Sequence, residues 1–404
     1  ALFSRLTHHA DNIPLEAYIL KAQHLYSLVS LPLVVILFIP ALWVSARFLP
    51  DAAAWLFRGR LSRHVLWAGL FLGFCTAIRT LGPAAGLLVG VYFLLKAGPK
   101  ALPTLLVYLG IGAAAAFLVW PALWTAPLHN FLASLGEAVD FSWDYKIAFA
   151  GQLYSPADLP RTYLPVLLGL QFTETAMLLA VAGILIGLWG VFRGAARRLD
   201  VLLLGAWFAA PIAGAIVFQP TLYDNFRHFL FAIPPLFILS GLAFERLAGW
   251  LKRPSLFSLA VLLALLPGIV WGIRLHPYEY IYYNSLVGGP AGASRRFETD
   301  YWATSYKAAA EYLNQTAPQG ATVVVWGPDY IVQTYARPDL VVVKYPNPPD
   351  PLTVQPDYAV LSTRDEIDQT LFPDAETVDV ITRAGAPLAV VKRLSSTLSI
   401  YPGD

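Results

Sequence analysis

Long apolar runs separated by short polar segments fill the first part of the chain, and short alternating runs fill the rest. A bilayer core takes about 20 apolar residues per helix. Runs that meet this requirement lie near 27–48, 102–124, 174–192, 200–218, 228–244 and 255–273. The stretch 64–96 is longer and is broken by Arg79, Thr80, Gly82 and Pro83. As one helix it would reach about 50 Å at ~1.5 Å per residue, too long for a single crossing. Two short helices over 64–78 and 82–96 fit better, bringing the expected number of spans to roughly eight.

After Arg274 the pattern changes. The segment HPYEYIYYN (276–284) sets Tyr278, Tyr280, Tyr282 and Tyr283 where an interfacial aromatic belt would lie. Gly288, Gly289 and Gly292 then read as a flexible hinge. A helix is expected over 301–314, with Thr299 or Asp300 as its cap. Apolar runs at 321–326, 340–345, 358–363, 376–381 and 388–393 read as about five strands. Strands separated by short helical pieces suggest a small α/β domain. The expected architecture is a polytopic α-helical membrane protein over 1–274, with a small C-terminal α/β domain over 275–404.

Composition agrees with this picture. Of 404 residues 57% are hydrophobic and 13% charged, and the mean hydropathy is +0.57. Soluble domains carry about 25% charged residues. A formal net charge of +2 excludes a strongly basic nucleic-acid binder, so no nucleic-acid partner is expected. The single Cys75 leaves no disulfide framework and no thiol metal site.

Loop charge predicts orientation. Arg47, Arg58, Arg60 and Arg63 form one basic group; Lys96 and Lys100, then Arg193, Arg197 and Arg198, then Arg246, Lys252 and Arg253 form the others. They alternate with neutral or acidic segments at 1–25, 125–172 and 218–226. If the basic loops are cytoplasmic, the turn at Arg79, the segment 218–226 and everything after residue 274 lie outside. The expected location is the cytoplasmic membrane, multi-pass, with the C-terminal domain extracytoplasmic.

Charges near a bilayer carry information because they are costly unless paired or wetted. Arg79, in FCTAIRTLGPA, either binds a phosphate anion through its fork of donors or snorkels to headgroups. Tyr223, Asp224, Arg227 and His228, in YDNFRH, form a compact polar group. It either holds an anionic headgroup or anchors the following helix. His8, His9 and Asp11 precede the first span; Asp11 is the candidate catalytic acid there. The segment 141–165, with Trp143 and Asp144 as candidate substrate contacts, is long enough to act as a lid. Glu174 reads as a helix-start residue favoured by the dipole.

Taken in order, these segments resemble one family. They are an Asp near Ile-Pro before a span, AIRTLG between half-helices, FSWD…DLP..YLP, YDNFRHFLFAIPP, and HPYEYIYYN followed by RFETDYW. The pattern is similar to that of the bacterial relatives of protein O-mannosyltransferases and aminoarabinose transferases, which have the GT-C fold. The resemblance implies inverting transfer of a sugar from a polyprenyl-phosphate donor to a lipid, glycan or protein acceptor at the outer membrane face. It implies that Arg227 and Arg79 face the lipid phosphate, and that Asp11 matches an acid found before a later span. The main catalytic Asp is expected upstream of this chain, with earlier helices missing, and a divalent metal is possible. The alternatives are a transporter or flippase of lipid-linked sugars and a non-catalytic scaffold with the same fold.

Overall fold

The computed structural model describes residues 62–139, 143, 145–346, 352 and 354–394. The expected span at 27–48, Asp11 and Asp144 lie outside the described residues. The chain divides into two compact units, 1–135 and 136–404.

In the first unit, α1 (Arg63–Ile78) starts where the Ser62 hydroxyl accepts from Val65 N–H. It ends at Arg79, whose backbone turns extended. A Cβ on Gly82 would lie 2.5 Å from Thr76 Cα, so the chain can fold back this tightly only with glycine there. Pro83 then opens α2 (Pro83–Ala97) in the first turn, where its missing N–H costs nothing. The break predicted at Arg79–Pro83 is present. Helix α3 (Leu102–Val119) packs on α1 through small residues, Gly69 and Gly73 against Gly112 and Ala115. Such stripes let apolar helices approach closely where the hydrophobic effect cannot drive them together. Helix α4 (Pro127–Val139) straddles the division between the units.

The second unit opens with a β-hairpin, β1 (Ile147–Phe149) and β2 (Gln152–Tyr154), where the sequence suggested an irregular lid. Ile147 and Phe149 are buried, and Phe149 meets Tyr163 and Phe297 edge to face. The helices that follow are α5 (Tyr163–Leu170), α6 (Glu174–Phe192), α7 (Arg198–Phe218), α8 (Pro234–Leu251) and α9 (Pro254–Leu275). Thr173 caps α6 by accepting from Ala176 N–H, with Glu174 in its first turn. Gly183 of α6 lets the helix touch α8: a Cβ there would fall 2.1 Å from Leu239 O.

Four stretches among the described residues are long and apolar enough to cross a bilayer: Pro83–Val119, Glu174–Phe192, Arg198–Phe218 and Pro254–Leu275. They point to membrane association. Helix α9 is the plainest case, since 0% of its apolar window is buried; lipid or another protein surface must cover such a face. Helix α8 carries Glu245 and Arg246 and is not among the four. It also begins later than its apolar run suggested, because Arg227–Ala232 forms a 3-10 turn ahead of Pro234.

The α/β part follows. Helix α10 (Ser305–Thr316) and α11 (Asp329–Tyr335) flank β3 (Thr322–Val325), β4 (Val341–Lys344), β5 (Tyr358–Ser362), β6 (Glu376–Arg383) and β7 (Ala386–Arg393). The sheet order is β4-β3-β5-β7-β6; β3 runs parallel to β4 and β5, and β7 antiparallel to β5 and β6. Alternation sends Val323, Val325 and Val360 to one core and Val324, Ala359 and Leu361 to another, as a sheet buried on both faces requires. The buried Tyr306, Ala309, Ala310 and Leu313 recur at helical spacing and turn one side of α10 onto the first core.

Two expectations for the segment before this sheet are corrected. The tyrosines of 276–284 do not form an outward belt: Tyr278 and Tyr283 are buried and Tyr280 and Tyr282 half-buried. Their hydroxyls explain the difference where partners exist. Tyr283 donates to Glu298 O at 2.9 Å, and Tyr280 donates to the Asp300 carboxylate. Nor are the glycines at 288–292 a loose hinge. They form a packed turn in which a Cβ on Gly292 would meet Val287 O at 2.0 Å.

Candidate functional site

The segment after α7 turns sharply because Asp224 and Asn225 both take left-handed backbone angles, φ 53° and 58°. Asp and Asn tolerate this region better than other residues with a Cβ. The turn sits at the opposite end of α7 and α8 from Arg197 and Glu245, which pair at 3.5 Å. About 31 Å of helix separates the two ends of α7, at ~1.5 Å per residue.

Asp224 lies between two arginines. Its Oδ2 is 2.7 Å from Arg227 Nη1, and its Oδ1 is 2.9 Å from Arg364 Nη2. The same Nη2 reaches Glu298 Oε1 at 2.6 Å. Asn225 closes the cluster: its Nδ2 donates to Glu298 O at 2.9 Å, and its Oδ1 accepts from Tyr283 O–H at 3.1 Å. The Asn225 N–H donates to the Tyr163 hydroxyl at 3.1 Å. Charges this buried are costly unless paired; each carboxylate here meets an arginine, while Arg364 Nε has no hydrogen-bond partner among the described residues.

Aromatic rings enclose the ions. Tyr223 stacks on Trp143 with centroids 3.9 Å apart and planes at 12°. The Arg227 guanidinium lies 5.2 Å from the Tyr223 ring, and His228 meets that ring edge-on at 4.6 Å. Arg364 lies 5.3 Å from the Trp143 ring and 5.6 Å from that of Tyr145. Each arginine therefore faces both a carboxylate and a π-cloud, a geometry suited to the planar guanidinium.

Burial sets the protonation behaviour. The Glu298 carboxyl is pushed up to about 7 by desolvation, which Arg364 opposes and the nearby Asp224 reinforces. Burial also raises Asp224 against the pull of Arg364 and Arg227. Asp365 is pushed up to about 6 by burial, with Arg364 and Lys146 pulling the other way. Asp365 and Glu366 both have positive φ, 54° and 58°; such strain in non-glycine residues concentrates at functional sites. For Arg364, burial favours the neutral form, but Glu298 and Asp224 outweigh it and hold the guanidinium charged.

Of the residues singled out in the sequence, Trp143, Tyr223, Asp224, Arg227 and His228 come together here. Arg79 belongs to the first unit, exposed at the end of α1. Among the described residues, no three His, Cys, Asp or Glu side chains converge as a metal site would require. Sequence reading did not single out Glu298 and Arg364. Glu298 stands in the RFETDYW segment, where its only signal was an acid in an aromatic run. Arg364 directly follows β5, and an arginine at the carboxyl end of a parallel strand was a usable signal.

Comparison with protein-family models, with curated proteins and with solved structures returned no match.

Proposed function

We propose that the protein transfers a sugar from a polyprenyl-phosphate donor to an acceptor at the outer face of the cytoplasmic membrane, with inversion at the anomeric carbon. The observation that carries this reading is the setting of Arg227. It lies at the join of apolar helices and an α/β layer, with 29% of its side chain exposed. A cation there meets a phosphate whose lipid tail stays in the bilayer. Fork-like donors suit that phosphate as charge develops on the leaving oxygen. Tyr223 and Trp143 supply an aromatic wall beside it.

A carboxylate must accept the proton of an attacking hydroxyl. Asp224 and Glu298 are engaged by arginines, so within this cluster they orient Arg227 and Arg364 and leave proton transfer to an acid elsewhere. The same saturation favours a second reading, a non-catalytic scaffold in which the ion cluster clamps the helices to the α/β part. A transfer assay separates the two. Full-length protein in vesicles is given a polyprenyl-phosphate donor with a radiolabelled sugar, and label leaving the donor fraction is followed. Time-dependent transfer supports the enzyme; none from any donor in a hexose and pentose panel supports the scaffold.

A further inference from the structure

The ion cluster forms one chain of contacts that begins at a buried acid and ends at the partly exposed Arg227. Arg364 Nη2 is shared between Glu298 Oε1 at 2.6 Å and Asp224 Oδ1 at 2.9 Å, and Asp224 Oδ2 lies 2.7 Å from Arg227 Nη1. From Glu298 through Arg364 and Asp224 to Arg227 the side chains are 1%, 13%, 3% and 29% exposed. Water and salt therefore screen little of what passes between the two ends. Burial pushes the Glu298 carboxyl up to about 7, so this acid changes charge near neutral pH, where an exposed glutamate stays ionised.

A proton on Glu298 acts on Arg227 in two ways, and both have the same sign. It adds one positive charge near Arg227, whatever the total charge of the cluster. It also weakens the pull of Glu298 on Arg364 Nη2. That donor then turns fully to Asp224, which holds Arg227 less firmly and leaves its guanidinium freer to bond an anion. We infer that an anion at Arg227 and a proton on Glu298 are coupled, so that the site takes up a proton as it fills. By linkage each raises the affinity for the other by the same factor. The coupling rests on the reading that Arg227 meets a lipid-linked phosphate, and it makes donor binding tighten as the outer face turns acidic.

Other titratable groups face Glu298 from the elements packed on it. Among the described residues they are Tyr163 of α5, Asp224 after α7, Tyr283 and Tyr301 between α9 and α10, and Arg364 and Asp365 after β5. Burial raises the three tyrosines, which stay neutral near pH 7, and Arg364 stays charged beside its two acids. Burial raises Asp224 and Asp365 too, so their protonation adds to the effect. Lys146 acts on Asp365, and Asp300 turns its carboxylate to Tyr280, Thr304 and Ser305. His228 Nε2 accepts from Arg227 Nε at 3.3 Å. Protonating that imidazole would have the same sign, so the test must tell it from a carboxyl.

The probe is citronellyl methyl phosphate, a diester that keeps one negative charge across the range used; a phosphate monoester would bring its own titration near pH ~6. Calorimetric titration of full-length protein in detergent micelles, with protein-free micelles as blank, gives Kd from about pH 5.5 to about pH 8.5. Two buffers of different ionisation enthalpy then count the protons taken up at neutral pH. Wild type is expected to bind about tenfold tighter at the acid end, the effect of one unit charge ~10 Å away at an effective dielectric of ~20, and to take up a fraction of a proton. Difference infrared spectra should show a protonated-carboxyl C=O band growing on binding, which an imidazole cannot give and which needs no variant. Glu298→Gln, checked by thermal unfolding, should lose most of the pH dependence and most of the uptake. A wild-type Kd that does not change with pH, no proton uptake, or a folded Glu298→Gln with the wild-type slope each overturns the coupling. Binding that Arg227→Ala removes but pH leaves unchanged sinks the coupling alone. No binding by wild type, or binding that Arg227→Ala leaves intact, sinks the phosphate reading of Arg227 as well.

Discussion

Arg364 Nη2 donates to Asp224 at 2.9 Å and to Glu298 at 2.6 Å, joining positions 140 and 66 residues away in sequence. One guanidinium thus connects the loop after α7, the segment before α10 and the end of β5. Its side chain is 13% exposed, so water cannot replace it as a partner for the two acids.

Replacing Arg364 therefore leaves two buried carboxylates short of a partner. Arg364→Met is expected to destabilise the fold by about 3–5 kcal/mol, the usual result of breaking a buried pair. Arg227→Met is expected to cost clearly less, because Asp224 keeps Arg364 as a partner and the lost Arg227 side chain is itself 29% exposed. Thermal unfolding of both variants in the same detergent compares them. Equal losses would contradict the ranking.

Stability should also depend on pH through Glu298. Its folded value of about 7 lies above the ordinary glutamate value of 4.5, so the native state binds the proton more tightly than the unfolded chain. The contribution is complete below about pH 4.5 and is lost as pH rises through about 7. Asp365, at about 6, adds a smaller loss with the same sign. Unfolding temperature is thus expected to fall between about pH 5 and pH 8, and Glu298→Gln to flatten the slope. A wild-type profile that rises over this window would refute the assignment.

The close approach of α6 and α8 gives a prediction about packing. Gly183→Ala sets a methyl against Leu239 O and forces the helices apart, at a cost of about 1–3 kcal/mol. Gly205→Ala, with open space around its Cβ, serves as the neutral control. Unfolding midpoints for the two variants should differ by several degrees.

Stacking of Trp143 on Tyr223 is open to a double-mutant cycle. Trp143→Ala, Tyr223→Ala and the double variant should show a coupling of about 0.5–1.5 kcal/mol. Additive losses would mean that the ring contact contributes nothing beyond buried area.

Much of the architecture was legible because its signals are local. The apolar runs, the break at Arg79–Pro83 and the five short strands each depend on neighbouring residues. The helix expected over 301–314 instead starts at Ser305 with Thr304 as its N-cap, and Asp300, outside the cap position, accepts from the Thr304 and Ser305 N–H groups. The polar group at 223–228 stood out because charge beside an apolar run is costly. The partners of that group were not legible. Glu298 and Arg364 reach it only through the tertiary fold, and each looks ordinary in its own segment. The tyrosines of 276–284 misled for the same reason, since an aromatic run at a helix end reads as a belt until the folded chain supplies acceptors for its hydroxyls.

The central claim is that Arg227 meets the phosphate of a lipid-linked sugar. It is tested most directly by kcat/KM for transfer from a polyprenyl-phosphate donor, measured for full-length wild type and Arg227→Ala in the same vesicles. The account predicts a loss of about 10²–10³ for Arg227→Ala, with an unfolding temperature within a few degrees of wild type. Equal rates for the two proteins would contradict it.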